Sequence, residues 1–258
     1  HAEEPILLIA HEDREKVIEA EKHIQIDYEV LRPQLDFEQS QTVFKKFLIE
    51  NGNVNAGQSE ADVIFEGSYH VPHQEHLYVE NNAMWAWVTD EGVVTVKGSL
   101  QCPYYVQKAM RHIFNLPDEK IRVIQSVTGG GFGGKEEYPS LLAGHAALLA
   151  YKAQKPVRMI YDRAEDIAAT TKRHPGVTHV KLGADRQGNL KFIDIDFILD
   201  GGAYVTLSPV VLSRGTLHAG GAYRSPHVRI ASRAVKTNTP PNGAFRGFGA
   251  PQSLFGIE

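Results

Sequence analysis

The sequence predicts an α+β fold in which mixed sheets are packed by helices. Three observations lead there. Segments that alternate apolar and polar side chains, such as Val177–Gly183 and Leu190–Leu199, stand beside segments with apolar residues at helical spacing, such as the one opened by Pro103. Some strands are joined by a hairpin turn (ADRQGN) and others by helical crossovers. No repeat recurs at a period of roughly 20–50 residues, which argues against a solenoid or propeller.

Taken in order, Pro5–Ala10 reads as a short strand. His11–His23 reads as a charged helix with Val17, Ile18 and Ala20 on one side, and Ile24–Val30 as a second strand. From Arg32 to Glu60 the pattern weakens around Pro33 and NGNVNAGQS. Residues 34–60 are therefore expected to connect a small domain at 1–33 to a large one at 61–258. Ala61–Val71, His76–Thr89 and Gly92–Lys97 read as strands. Pro103 opens a helix with Val106, Ala109, Met110 and Ile113 on one face. Ile121–Val127 is a strand that runs into TGGGFGGKEEY, and Pro139–Ala153 is a helix apolar on almost every face, hence expected to be buried. Val157–Tyr161 is a strand, and Asp162 with Glu165 makes a capping box for a short helix. The hairpin follows, with Ile193, Ile195 and Phe197 on one face and Asp194 and Asp196 on the other. Residues 200–227 read as a long loop, Val228–Lys236 as a strand, and the chain closes on NTPPNGAFRGFGAPQ, where a helix starts.

Composition narrows the function. With 258 residues, 42% apolar and 22% charged, the chain can build a sizeable core. A net charge of −4 offers no general attraction for nucleic acid or anionic lipid, and no apolar run approaches the roughly 18 residues of a membrane span. Cys102 is the only cysteine, so this chain alone builds no disulfide framework, no CxxC pair and no iron–sulfur or thiolate-zinc site; a cytoplasmic home is expected. It opens on HAEEPILLIAH, without an initiator methionine or signal pattern, and ends in PQSLFGIE, so it is expected to be a piece of a longer polypeptide.

Two glycine-rich turns carry the chemistry. The first, Gly129–Glu136 (GGGFGGKE), lies between a strand and a helix, where small residues let backbone N–H groups approach an anion. It satisfies G-x-G-x-x-G, but no acidic residue ends a following strand at the right distance. It nearly satisfies a phosphate loop, yet Glu136 stands where a hydroxyl must hold magnesium. Phe132 is also out of place in a phosphate cradle and better suited to meeting another flat ring. The second turn, Gly243–Gln252 (GAFRGFGAPQ), again frames a cation and two aromatics with small residues. For either turn the plain alternative is a structural bend whose phenylalanines fill the core; together they point to a shared anionic ligand with a planar neighbour.

The pair GGGFGGKE and AFRGFGAPQ, with Gln101 before the first turn and Arg214 (SRGTLHAGGAY) between them, resembles the molybdenum hydroxylase family. That family comprises the xanthine dehydrogenases and aldehyde oxidases, and the likeness is strongest to the molybdopterin subunit of the bacterial xanthine dehydrogenase branch. It covers residues 60–258 and, more faintly, 1–32. It implies the first molybdopterin-binding domain of a large subunit, preceded by the tail of an α/β hammerhead domain. It also implies molybdenum carried by molybdopterin, plain or as the cytosine dinucleotide, with no protein ligand to the metal. By resemblance, Gln101, Phe132, Gly133 and Arg246 contact the cofactor, while Glu136, Arg214 and Phe248 hold the substrate, Phe132 and Phe248 sandwiching a flat ring. Glu136 with Arg214 favours a purine-like heterocycle over an aldehyde, since a fixed guanidinium stabilises charge that develops on a purine ring. The family's catalytic glutamate falls beyond Glu258, so the chain alone is expected to be inactive and cofactor-free. Fe–S and FAD domains or subunits and the remainder of the large subunit are the implied partners. Aldehyde, nicotinate or carbon monoxide oxidation on the same scaffold is the nearest rival. A glycine-loop nucleotide-binding module and a non-catalytic assembly subunit are rivals of other classes.

Three quieter features favour structural roles. His70, His73 and His76 are spaced like zinc ligands but sit in a strand-and-turn context. Asp194 and Asp196 read as a solvated strand face, and Lys172–His174 as a basic surface run.

Overall fold

The computed structural model describes residues 1–258. In chain order the elements are α1 (Arg14–Glu21), β1 (Val43–Asn51), α2 (Val54–Glu60), β2 (Val63–Val71), β3 (Ala83–Val88), β4 (Val94–Gly98), α3 (Pro103–Phe114) and β5 (Ile121–Gln125). There follow α4 (Pro139–Ala153), β6 (Val157–Ile160), α5 (Arg163–Ala169), β7 (Lys172–Arg173), β8 (Gly176–Ala184) and β9 (Leu190–Asp200). The last are α6 (Ser208–His218), β10 (His227–Val235), β11 (Asn242–Gly243) and α7 (Ala250–Ile257). The mixed α+β class holds. No helix is long and apolar enough to cross a membrane.

The chain divides into two compact units. One contains His1, residues 34–76 and residues 171–258; the other contains residues 2–33 and 77–170. In the first unit a five-stranded sheet runs β1-β10-β9-β8-β2, with β9 and β10 parallel and the other neighbours antiparallel. Ile193, Ile195, Phe197 and Leu199 of β9 are buried on one face against Val211 and Leu212 of α6, as period-two alternation requires. On the opposite face Asp194 and Asp196 are not simply solvated: Arg229 and Arg233 of β10 pair with them at 2.7 and 3.0 Å.

In the second unit a four-stranded sheet runs β5-β4-β3-β6, with β4 and β5 parallel and joined through α3. Met84, Ala86, Val94 and Val96 of the sheet pack against Val106 and Met110 of α3 and Leu142, Ala146 and Ala147 of α4. Small residues bring the helices together: a β-carbon at Gly144 would lie 2.6 Å from Ile113 Cδ1. Helix α4 is buried along that stripe only; Leu141 and Leu148 stay exposed, because one side of it faces neither sheet nor α3. The capping box at α5 forms, Asp162 accepting from Glu165 N at 2.8 Å.

Several expectations need correction. Pro5–Ala10 and Ile24–Val30 form no strands, because no strand of the chain pairs with them, and Val30 is 90% exposed. The stretch 34–60 is not a loop: β1 pairs with Val228–Val235 of β10, and α2 is capped by Asn53. Residues 200–227 contain α6, whose Val211, Leu212 and Gly215 are buried. The strand expected over His76–Thr89 shrinks to β3, with no regular structure before Ala83. The basic run at Lys172 is no mere surface: Lys172 pairs with Glu75 at 2.8 Å, and His174 is wholly buried.

Candidate functional site

Strands β4 and β5 lie side by side and parallel, so the segments leaving their C-terminal ends meet. One of these segments carries Gln101, the other the turn Gly129–Glu136. Gln101 N donates to Lys135 O at 2.7 Å, and its side-chain Oε1 accepts from Gly133 N (3.0 Å) and Lys135 N (3.2 Å). Backbone N–H groups are donors only, which fixes the amide with Oε1 inward and leaves Nε2 as an outward donor without a partner in the chain. Gly131 must lack a side chain here, since a β-carbon would fall 2.4 Å from Gln101 Oε1.

Phe132 adopts φ +53° and Gly133 φ +106°. A bulky residue in the left-handed region is uncommon and costs energy that the surrounding turn must supply. Its ring is 49% exposed, so it does not fill the core. Glu136 is half-buried, and that burial holds its carboxyl above the ordinary 4.5. Burial, then the Glu136 carboxylate, push the Cys102 thiol up, which makes it a poor nucleophile.

The turn is no phosphate cradle. Gly129 N is taken by Glu80 Oε2 (2.6 Å), Gly134 N by Gly131 O, and Glu136 N by Gly133 O. Lys135, placed like a phosphate-loop lysine, has no solvent exposure, and its Nζ pairs with Glu80 Oε2 at 2.9 Å.

The second turn lies in the other unit and has the same signature. Gly247, Phe248 and Gly249 take φ +92°, +52° and +97°. Phe248 N donates to Phe245 O (2.7 Å) and Ala250 N to Gly247 O (3.2 Å), and α7 starts there. Phe248 is partly buried against the β9 core, so for this ring the structural reading holds in part. Phe245 stacks on His76 at 4.8 Å with Arg173 5.8 Å from its ring, and His76 Nε2 donates to Ala244 O at 2.7 Å. His76 thus anchors the turn, and no group of three or more His, Cys, Asp or Glu is gathered as a metal site. Arg246 and Arg214, on α6, are exposed and in no ion pair. Gly215, next to Arg214, packs directly on Gly249, next to Phe248.

Of the sequence-derived residues, Gln101, Phe132, Gly133 and Glu136 come together in one unit, and Arg214, Arg246 and Phe248 belong to the other. Sequence reasoning misses the supporting roles of Glu80, His76, Arg173 and Phe245. The one signal for them in the sequence is the acidic Glu80 closing the apolar stretch HLYVE.

Comparison with known proteins matches the model of the molybdopterin cofactor-binding domain to residues 36–258, and the chain belongs to that family, within the molybdenum hydroxylases. It is 39% identical over 205 residues to the nicotinate dehydrogenase large molybdopterin subunit of Eubacterium barkeri, covering 80% of this chain and 48% of that protein. It is 36% identical over 262 residues to the xanthine dehydrogenase of Emericella nidulans, covering 100% of this chain and 19% of the relative. The chain therefore spans less than half the length of either relative. Its fold matches the aldehyde oxidoreductase of Desulfovibrio gigas with TM-score 0.85 at 24% identity, over 95% of this chain and 28% of that one. The Gln101 amide fits such a cofactor: with its Oε1 held by Gly133 N and Lys135 N, its Nε2–H is left as a donor to an oxygen-rich group.

Proposed function

We propose that the chain is part of a molybdenum-dependent hydroxylase acting on a purine-like N-heterocycle of the xanthine or hypoxanthine type. The molybdenum–molybdopterin group, when bound, supplies two-electron oxidation with water as the oxygen source. Gln101 donates its Nε2–H toward the cofactor, held by Gly133 and Lys135. Gly133 and Phe132 wall the site, and Arg246 neutralises anionic oxygen of the cofactor. Phe132, half-exposed, offers a ring face to a flat substrate. Glu136 and Arg214 orient it: a raised carboxyl exchanges a proton or hydrogen bond with a ring nitrogen, and the guanidinium faces charge developing on the ring.

One observation carries the purine reading. The chain keeps a half-buried carboxyl at Glu136, against the cost of desolvating it, and an unpaired arginine at Arg214. Both suit a polar heterocycle better than an apolar aldehyde. The likeness to a nicotinate dehydrogenase supports a second N-heterocycle, nicotinate, as the alternative. Electrons would leave through Fe–S and FAD domains or subunits, the working compartment being the cytoplasm. The internally bonded N–H groups of the first turn and its buried lysine speak against a nucleotide module, so ATP should not bind.

The test is steady-state turnover of the complete enzyme on hypoxanthine, xanthine, nicotinate and benzaldehyde, with Arg214→Met alongside. Purine preference that Arg214→Met lowers by about 100-fold, with little change on benzaldehyde, is expected. Preference of the wild type for benzaldehyde would contradict the assignment.

A further inference from the structure

We propose that Glu80 and Lys135 are positioning residues for Gln101: a built-in ion pair that occupies the glycine turn as a ligand anion would and sets where the amide points. The proposal rests on Gln101 being a cofactor contact, as argued above.

The linkage is continuous. Lys135 has no solvent exposure; its Nζ reaches Glu80 Oε2 at 2.9 Å and Ser99 Oγ at 3.1 Å and lies 4.8 Å from the centre of the Tyr78 ring. The same carboxylate oxygen accepts from Gly129 N at 2.6 Å, and Glu80 N donates to Gly129 O at 3.2 Å, so Glu80 grips the entrance of the turn. At the far end the Lys135 backbone holds Gln101 from both sides, its carbonyl accepting from Gln101 N at 2.7 Å and its N–H donating to Gln101 Oε1 at 3.2 Å. One residue therefore couples the ion pair to the amide through covalent geometry.

Glu80 is itself fixed without regular secondary structure. It lies between Tyr78 and Asn82, and buried Asp166 accepts from Tyr78 OH at 2.5 Å and Asn82 N at 2.6 Å. Asp166 belongs to α5, so the Gln101 amide is tied through two ionic residues to a helix on the same unit. The lysine has no route to a ligand and the carboxylate is committed to it, so neither acts on substrate. Removing the Glu80 charge would strand the buried Lys135 ammonium, and removing Lys135 would take from Glu80, whose side chain is 41% exposed, the cation that holds it at the turn; in either case the turn would shift.

The experiment uses the complete parent enzyme with Glu80→Gln, Lys135→Met, the double variant and Ser99→Ala. Molybdenum per chain, amide hydrogen exchange over residues 129–136, and kcat and KM per bound molybdenum are measured. Each charge variant should speed exchange in the turn by about tenfold and lower kcat by about tenfold, with KM moving less than about threefold. The double variant should recover most of the Glu80→Gln loss, because the buried ammonium is no longer left alone. Should the charge variants fail to fold, Ser99→Ala removes one bond without stranding a charge and should give a smaller change of the same kind. Unchanged exchange and unchanged kcat in variants that merely melt earlier would overturn the positioning role. A wild-type enzyme free of molybdenum would sink the cofactor reading instead, while the exchange rates would still decide whether the ion pair holds the turn.

Discussion

Gly215 of α6 and Gly249 at the head of α7 meet backbone to backbone. A β-carbon on Gly249 would lie 2.2 Å from Val211 O and 2.9 Å from Gly215 N, and one on Gly215 would lie 3.2 Å from Gly249 O. This contact seats the turn that carries Phe248 directly on helix α6, which carries Arg214. Gly249 also holds φ +97°, so Gly249→Ala meets both a collision and backbone strain. A loss of about 3 kcal/mol is expected, a fall in Tm of about 6–12 °C, read by calorimetry against the wild type.

Phe132 separates stability from function. Its left-handed backbone and half-exposed ring mean that Phe132→Gly relieves about 1 kcal/mol of strain while losing little packing. Phe132→Ala keeps the strain. The glycine variant should melt at or above the wild type and above the alanine variant, yet both should raise the substrate KM of the complete enzyme by about tenfold or more. A glycine variant melting below the alanine variant would show that the ring holds the turn.

Glu136 is held above the ordinary carboxyl value by burial, so the folded chain binds its proton more tightly than the unfolded chain does. Its contribution is fully present below pH 4.5 and is lost as pH rises through the folded value. At neutral pH the charged carboxylate is therefore a burden. Glu136→Gln should raise Tm at pH 7 by about 1–3 °C and leave it unchanged in acid, while weakening turnover of a purine.

His174 behaves in the opposite sense. Burial pushes its imidazole from 6.5 down to about 3, and Ser208 Oγ sits 2.8 Å from Nε2. The unfolded chain takes up a proton that the folded chain refuses, so stability is full above pH 6.5 and declines as pH falls toward 3. Unfolding free energies of wild type and His174→Gln from denaturant titrations between pH 7 and 4 should converge on acidification, by about 1.4 kcal/mol per pH unit below 6.5. Parallel curves would mean that His174 titrates normally.

The elements read correctly from sequence are those with local punctuation. Helix α4 starts at Pro139 and stops at Gln154 in a left-handed cap (φ +53°), and the β8–β9 hairpin carries its turn residues. Helix α6 escaped because its Val-, Ser-, Gly- and Thr-rich sequence has weak helix propensity; packing of Val211, Leu212 and Gly215 makes it. Strand β1 escaped because a bulge between Val43 and Lys45 breaks its alternation. The two turns and Gln101 were legible because their chemistry sits in short motifs. Their support was not: Glu80 and Lys135 lie 55 residues apart, and only the fold pairs them.

The central claim is that the Gly129–Glu136 turn holds the Gln101 amide with its Nε2–H free to meet a molybdopterin. A crystal structure of the molybdenum-loaded complete enzyme tests it most directly. Gln101 Nε2 should lie within about 3.2 Å of the cofactor, with Oε1 still accepting from Gly133 N and Lys135 N. A cofactor out of reach of Gln101 Nε2 would contradict it.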